Sequence, residues 1–226
     1  VSKWRTPVDR FLGIHGLFLF VIASFLLYQS RGTLKELVSA WGSSDFEATV
    51  PGIAYMRVCV GVGVLAAVLF GAAGFWNITL LLVFLTMVGL VAWRVFASKS
   101  EERPYEVVPL VLLGLALFIG IGVDLVRVEG DIGRMNTFFK YYLEIWVLFS
   151  IVSAYMLWHL GTFGFLRPKI GLRSGAWMVV LAALIGSSLV YTALGSRSRI
   201  ADRFTDGPST LDGTAYMAEA LHYEQE

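Results

Sequence analysis

The sequence predicts an all-α membrane protein, a polytopic transmembrane helical bundle of about six spans with one additional interfacial helix. Two observations support this fold class. Hydrophobic residues make up 57% and charged residues 15% of the 226 residues, against roughly 45–50% and about 25% in an average soluble domain. Uncharged runs also recur along the chain, and several approach the length of about 20 residues that a helix needs to cross a bilayer core.

Charge and cysteine content exclude several other classes. Eighteen basic and seventeen acidic residues leave a net charge of +1, so no basic excess indicates nucleic-acid binding. The single Cys59 lies in an apolar run, which excludes a disulfide framework and argues against a cysteine-rich metal site.

The spans follow from the uncharged runs in chain order. Phe11 to Tyr28 is the first. The next run, from Val58 to Trp93, has 36 uncharged residues and is too long for one helix. Turn formers and an interfacial Trp in residues 71–77 predict two spans joined by a tight hairpin. The fourth span is entered through two prolines. The predicted spans are 11–28, 58–73, 77–93, 107–123, 138–160 and 176–194.

A short helix is expected in the first loop. Thr33 and Glu36 have the spacing of a capping box. In this motif the Thr side chain accepts from the backbone N–H of the Glu, and the Glu side chain accepts from the backbone N–H of the Thr. Leu37 and Trp41 then fall on one apolar face, and Gly42 is placed to end the helix. We interpret the segment as a helix lying on the membrane surface. An ordinary loop helix packed on the bundle is the alternative.

The predicted spans divide the chain into a transmembrane region, residues 1–204, and the start of an extramembrane segment, residues 205–226. The chain begins with Val1 and ends in a helix-like segment without a cap. We therefore expect a longer parent protein with further spans upstream and a soluble part downstream.

The densest polar cluster, residues 124–144, lies between the fourth and fifth spans. At 100° per residue, five polar side chains at the start of the fifth span fall within an arc of roughly 140°. A charge facing lipid costs several kcal/mol, so this stripe is expected to face a partner helix or a water-filled cavity. Its members are Asn136, Thr137, Lys140, Tyr141 and Glu144.

The cluster has two interpretations. In the structural one, Lys140 pairs with Glu144, and Asp131 pairs with Arg134, at the membrane surface. In the functional one, Arg134 and Lys140 hold an anionic group, because Arg offers a planar fork and Lys a point charge to phosphate oxygens. Carboxylates at Glu129, Asp131 and Glu144 then position a polar substrate, hold a divalent cation or act as a base.

Two histidines fall in predicted spans, His15 in the first and His159 near the end of the fifth. Histidines on different helices are able to ligate haem, but no further haem-binding motif accompanies these two. We interpret each as a hydrogen-bonded packing residue.

Residues 130–143 and 209–217, with Thr6-Pro7 and residues 14–20 before them, resemble the Chlor_Arch_YYY family of multi-pass membrane proteins from Chloroflexi and archaea. The resemblance covers most of this chain but only the later part of a family member. That family is similar to the GT-C glycosyltransferases, which transfer sugars from polyprenyl-phosphate donors. The resemblance implies an essential acidic residue in an early loop, upstream of this chain.

The leading hypothesis is therefore part of a GT-C-like glycosyltransferase in the cell membrane, with a polyprenyl-phosphate lipid as partner. A non-catalytic subunit that packs against other membrane subunits is the alternative, and a transporter is third. No catalytic or metal-ligating residue is assigned, and a divalent cation is left open as cofactor. The candidate substrate-binding residues are Glu129, Asp131, Arg134, Asn136, Lys140, Tyr141 and Glu144.

Overall fold

The computed structural model of the chain describes residues 5–40, 53–97, 103–126, 129–162, 171–203, 210–212 and 214. These residues form six α-helices and no strand, so the all-α fold class is confirmed. Contacts divide the chain into two compact units, residues 1–178 and 179–226. The helices are α1 (Val8–Ala40), α2 (Ile53–Ala72), α3 (Trp76–Ala97), α4 (Arg103–Leu125), α5 (Met135–Thr162) and α6 (Leu172–Arg203).

All six helices are long and apolar enough to cross a membrane. Each predicted span falls on one of them, although the second, 58–73, runs one residue past the end of α2 at Ala72. The other five helices extend beyond their predicted spans at both ends, as expected for helices that continue through the polar headgroup region. Most of residues 205–226 lie outside the described part of the chain. An extramembrane segment there stays a prediction.

Four helices form a ring in which each packs on two others, in the order α1, α3, α4 and α5, while α2 packs on the outer side of α3. The ring has an apolar centre of fully buried side chains. Trp177, near the start of α6, joins this unit by stacking on Phe20 and donating a hydrogen bond of 2.8 Å to Ser24 Oγ. The largest of the buried side chains are Phe11, Ile22, Leu26, Ile78, Leu81, Leu113, Leu117, Ile145, Phe149, Met156 and Leu160.

The separate surface helix predicted in the first loop is wrong, because α1 continues without a break to Ala40. Thr33 is buried inside the helix and does not cap a new one. Leu37 packs with Met56 of α2 and Leu90 of α3, as in the alternative of a helix packed on the bundle. Gly32 lies within this continuous helix just before Thr33. A glycine in a helix costs only about 1 kcal/mol, and the packing of Leu37 outweighs that cost. Trp41 and Gly42 lie outside the described residues.

The hairpin predicted within residues 71–77 is confirmed, and α2 and α3 are joined by three residues. Gly74 has a φ of +80°, which favours glycine, and its N–H donates to the Gly71 carbonyl at 2.9 Å. Arg5 closes the turn from outside, donating to the Ala73 carbonyl at 2.6 Å and stacking 3.8 Å above the Phe75 ring. Arg5, just before α1, is thereby held against the α2–α3 turn.

Candidate functional site

A buried polar cluster at one end of the bundle is centred on the carboxylate of Asp124, in the last turn of α4, whose side chain is 2% exposed. Its Oδ1 accepts hydrogen bonds from the Thr6 backbone N–H at 3.1 Å and from the Thr6 hydroxyl. Its Oδ2 accepts one from Asn77 Nδ2 at 2.8 Å. A buried carboxylate is costly unless it is paired and hydrogen-bonded, and these contacts meet that requirement.

Arg134 supplies the charge partner. Its Nη2 lies 3.1 Å from Asp124 Oδ1, its side chain is 7% exposed, and it also donates to the Val123 carbonyl. The guanidinium stacks 4.4 Å from the centre of the Phe138 ring. The predicted pairing of Arg134 with Asp131 is wrong. Arg134 instead contacts the end of α4, through Asp124 and the Val123 carbonyl.

The Asp124 cluster, which we define as Thr6, Asn77, Asp124, Arg134 and Tyr142, joins all four helices of the ring. Thr6 immediately precedes α1, Asn77 is in the first turn of α3, and Tyr142 lies on α5. Tyr142 donates its hydroxyl proton to Thr6 Oγ1 at 2.9 Å, and the Thr6 hydroxyl in turn donates to Asp124. The cluster therefore fixes one end of the bundle.

Asp131 caps α5. Its Oδ1 accepts from the Asn136 N–H at 2.9 Å, and its Oδ2 accepts from the N–H and hydroxyl of Thr137 at 2.9 and 2.6 Å. Gly130 and Gly133, on either side, have φ values of +75° and +71°, which allow the chain to fold back. The Thr137 hydroxyl, followed by the backbone N–H groups of Thr137 and Asn136, lowers the pKa of the Asp131 carboxyl. Because this carboxylate occupies the N-terminus of α5, a bound anion there has to rely on side chains.

The polar stripe on α5 does not face the bundle interior. Thr137 alone of its five members is buried, whereas Lys140 and Glu144 are exposed, and Tyr141 is 41% exposed. Neither Lys140 nor Glu144 forms an ion pair with another described residue. The expectation of an interior-facing stripe and of a Lys140–Glu144 pair is wrong, since burial of α5 is decided by Ile145, Phe149 and their neighbours on the opposite face.

The structure thus separates the candidate residues into two groups. Arg134 and Asp131 have structural contacts: Arg134 forms a buried ion pair with Asp124, and Asp131 caps α5. The other five project from the surface near the start of α5. They are Glu129, Asn136, Lys140, Tyr141 and Glu144.

His15 has no hydrogen-bond partner among the described residues for either ring nitrogen, although it is completely buried. It is enclosed by the rings of Phe11, Tyr142 and Phe149, at centroid distances of 4.6, 5.7 and 5.5 Å. The predicted hydrogen-bonded role is therefore wrong for His15. It holds for His159, whose Nε2 lies 3.5 Å from Gln29 Nε2, within reach of one tautomer.

Sequence reasoning placed Asp124 in the polar cluster but assigned it no role, and it did not select Thr6, Asn77 or Tyr142. A carboxylate in the last turn of an otherwise uncharged span was the available signal, because such a charge needs a partner. No local pattern marks Thr6 or Asn77, which are 118 and 47 residues from Asp124 in sequence.

In the described part of the chain, no three His, Cys, Asp or Glu side chains come close enough to hold a metal ion. A divalent cation at the start of α5 would need ligands from its substrate, such as phosphate oxygens.

The six apolar helices define a multi-pass α-helical membrane protein. The chain belongs to the family described as uncharacterised membrane protein DUF2298, which matches residues 1–149. The matched region contains α1 to α4, the whole Asp124 cluster and the exposed residues at the start of α5. Neither a curated protein nor a solved structure matches the chain.

Proposed function

We propose that this chain is part of a membrane-embedded glycosyltransferase that takes its sugar from a polyprenyl-phosphate carrier, and that Lys140 contacts the phosphate. The exposed polar face at the start of α5 is the observation that carries this proposal. Asn136, Lys140 and Glu144 share that face and project from a helix that also spans the membrane. The resemblance of residues 130–143 to the Chlor_Arch_YYY family, which is itself similar to the GT-C glycosyltransferases, is a second support.

The position of Lys140 along α5 fits a phosphate at the headgroup level. The candidate span of α5 has 27 residues, or about 40 Å, against a bilayer core of about 30 Å. The first two turns are therefore able to project into the headgroup region. Lys140 lies about 8 Å from the start of the helix at Met135. At that depth an ammonium group meets the phosphate of a lipid whose chain stays in the bilayer.

The neighbouring side chains provide the rest of such a site. Asn136 and Tyr141 offer hydrogen-bond donors on either side of Lys140. Glu144 lies one turn deeper and Glu129 lies in the preceding loop, and both carboxylates are exposed. They suit sugar hydroxyls, a cation bound with the substrate, or a base. We assign no catalytic residue among them.

Arg134 and Asp131 are positioning residues in this proposal. The guanidinium of Arg134 is held by Asp124 and the Val123 carbonyl, and both oxygens of Asp131 are taken up by the cap. Together they fix the loop from which α5 starts. This loop then presents the polar face of α5 in one orientation.

The test is the binding of a polyprenyl monophosphate to the full-length protein in detergent, with the unphosphorylated polyprenol as the reference ligand. Lys140→Gln should weaken binding of the phosphate roughly ten- to a hundred-fold, as expected for loss of a charge-assisted hydrogen bond. Lys35→Gln is the control. It removes an exposed cation near the C-terminal end of α1 and should not change the affinity for the phosphate. Equal affinities for the two variants, or for the two ligands, would contradict the proposal.

A non-catalytic subunit of a membrane complex is the second candidate, and α6 favours it. In the unit formed by residues 179–226, the helical part carries exposed apolar side chains such as Val179, Leu189 and Tyr191. A helix that is apolar on several faces requires lipid or protein around it. Purification in a mild detergent from native membranes tests this candidate, because a stable complex with other membrane subunits would support it.

A further inference from the structure

A small, partly open cleft lies at the end of the helix ring opposite the Asp124 cluster. Side chains from all four ring helices line it. Gln29 lies about 30 Å along α1 from its start at Val8, which places the cleft at the other membrane surface. The polar and aromatic lining consists of Phe25, Gln29, Glu106, Tyr155 and His159, with Pro109 beside them.

The carboxylate of Glu106 sets the charge of this cleft. Glu106 is half-buried in the first turn of α4, and none of the described cations lies within ion-pair distance of it. A half-buried carboxylate repels an anionic ligand and gains from a cation that replaces its lost water. The rings of Phe25 and Tyr155 also line the cleft, and aromatic faces attract cations.

Backbone chemistry adds a neutral acceptor beside Glu106. Pro109 lies inside α4 and has no N–H, so the carbonyl of Tyr105, four residues earlier, lacks its helical donor. Pro109 itself lines the cleft, which places this carbonyl on the same side of α4. Gln29 contributes an amide carbonyl on the opposite wall. The cleft thus combines one carboxylate with carbonyl acceptors, which are groups that accept hydrogen bonds from an ammonium ion.

We infer that this cleft binds a primary ammonium group, held by Glu106 and the neighbouring carbonyl oxygens against the rings of Phe25 and Tyr155. The space that the walls enclose has about the size of one water molecule, so it admits the ammonium group itself while the rest of the ligand stays outside the cleft. A primary ammonium donates three hydrogen bonds, whereas a quaternary ammonium donates none, so the acceptor-rich wall favours the former.

Two sources offer this group, a soluble amine and the headgroup of an aminophospholipid. The location is accessible to a lipid, since Glu106 lies next to Tyr105, where the apolar span of α4 begins. Arg94 is exposed and donates a hydrogen bond of 2.7 Å to the carbonyl of Gln29, so a guanidinium flanks the cleft where a lipid phosphate would lie. The two sources therefore differ in their expected dependence on Arg94.

The first measurement uses the unaltered full-length protein, delipidated and then titrated with phosphatidylethanolamine, phosphatidylcholine or phosphatidylglycerol, with binding read by native mass spectrometry. Phosphatidylethanolamine should bind roughly tenfold or more tightly than phosphatidylcholine, because only the primary ammonium donates hydrogen bonds to the cleft. Ethanolamine is titrated in parallel. Binding of the lipid alone identifies a headgroup site, and competition by free ethanolamine identifies a site for soluble amines. No preference for either amine would overturn the inference.

The second measurement compares variants. Glu106→Gln should remove the preference for the ammonium ligand, whereas Asp9→Asn, which neutralises an exposed carboxylate at the other end of α1, should retain it. Arg94→Gln should weaken the binding of phosphatidylethanolamine and leave the binding of ethanolamine unchanged. A preference for the ammonium ligand that survives Glu106→Gln would overturn the inference. This outcome is independent of Lys140 and of polyprenyl-phosphate binding.

Discussion

The guanidinium of Arg134 and the carboxylate of Asp124 lie 3.1 Å apart in side chains that are 7% and 2% exposed. They come from the residues on either side of the loop between α4 and α5, and the pair closes that loop. Thr6 and Asn77 bring the starts of α1 and α3 to the same carboxylate. A buried pair of this kind contributes little net stability, but the loss of one partner is costly because it leaves a buried charge uncompensated.

Arg134→Met should therefore lower the free energy of unfolding by about 3–5 kcal/mol. Adding Asp124→Asn should restore much of this loss, because the remaining group is neutral and the amide of Asn77, whose Oδ1 has no partner among the described residues, is able to turn and accept from it. Unfolding of the three proteins in detergent measures the effect. Lys140→Met, an exposed site on α5, is the control and should stay within about 0.5 kcal/mol. Additive losses in the double variant would contradict a coupled pair.

Gly63→Ala should destabilise the contact between α2 and α3. A Cβ at position 63 would lie 3.1 Å from Cγ2 of Thr86 and closer still to its hydroxyl, so the helices would have to separate. Overpacking of this kind costs about 1–3 kcal/mol. Gly61→Ala, on the same helix with nothing within 4 Å of the added Cβ, is the matched control and should be neutral or stabilising. Thermal unfolding compares them, and Thr86→Ala should rescue Gly63→Ala if the clash is the cause.

The cap of α5 should weaken at acidic pH. Hydrogen bonds to the carboxylate lower the pKa of Asp131 in the folded protein. The stabilisation that this cap gives to α5 is therefore fully present above the pKa that Asp131 has in the unfolded chain. This stabilisation is lost as the pH falls through the lower, folded pKa. Hydrogen exchange of the Asn136 and Thr137 amides, expressed as protection factors, should show this loss. Asp131→Ala should reduce protection above the folded pKa of Asp131 and remove the dependence of protection on this titration, whereas Glu129→Gln in the same loop should do neither. Protection in the Ala variant equal to that of the unaltered chain above that pKa would exclude the cap.

His15→Phe should leave the free energy of unfolding unchanged or raise it by up to about 3 kcal/mol, because burial of an unsatisfied polar group is itself a cost. The rings of Phe11, Tyr142 and Phe149 already form an apolar environment. His159→Phe is the comparison, and it should be destabilising because its Nε2 lies near the Gln29 amide. Thermal unfolding of both variants tests this. A clear loss of stability in His15→Phe would mean that His15 has a polar partner in the membrane.

The number and order of the spans could be read from the sequence, because the length of an uncharged run and the thickness of the bilayer are both local quantities. The hairpin around Gly74 was equally local, since turn formers and a short connection suffice to predict it. The polar character of residues 124–144 was also visible, because charges next to an apolar span stand out in any sequence.

The partners within that polar segment depended on tertiary structure. Periodicity placed Lys140 and Glu144 on one face of α5, but it carried no information on which face packs against α1 and α4. In the structure, the face that carries Lys140 and Glu144 is exposed. The spacing of Arg134 in the sequence allowed a pair with Asp131 in its own loop, but Arg134 pairs with Asp124 of α4. Gly61 and Gly63 read alike in sequence, yet only Gly63 lies against a neighbouring helix. Helix rotation and long-range contact decide such questions, and both are set by the packing of the whole bundle.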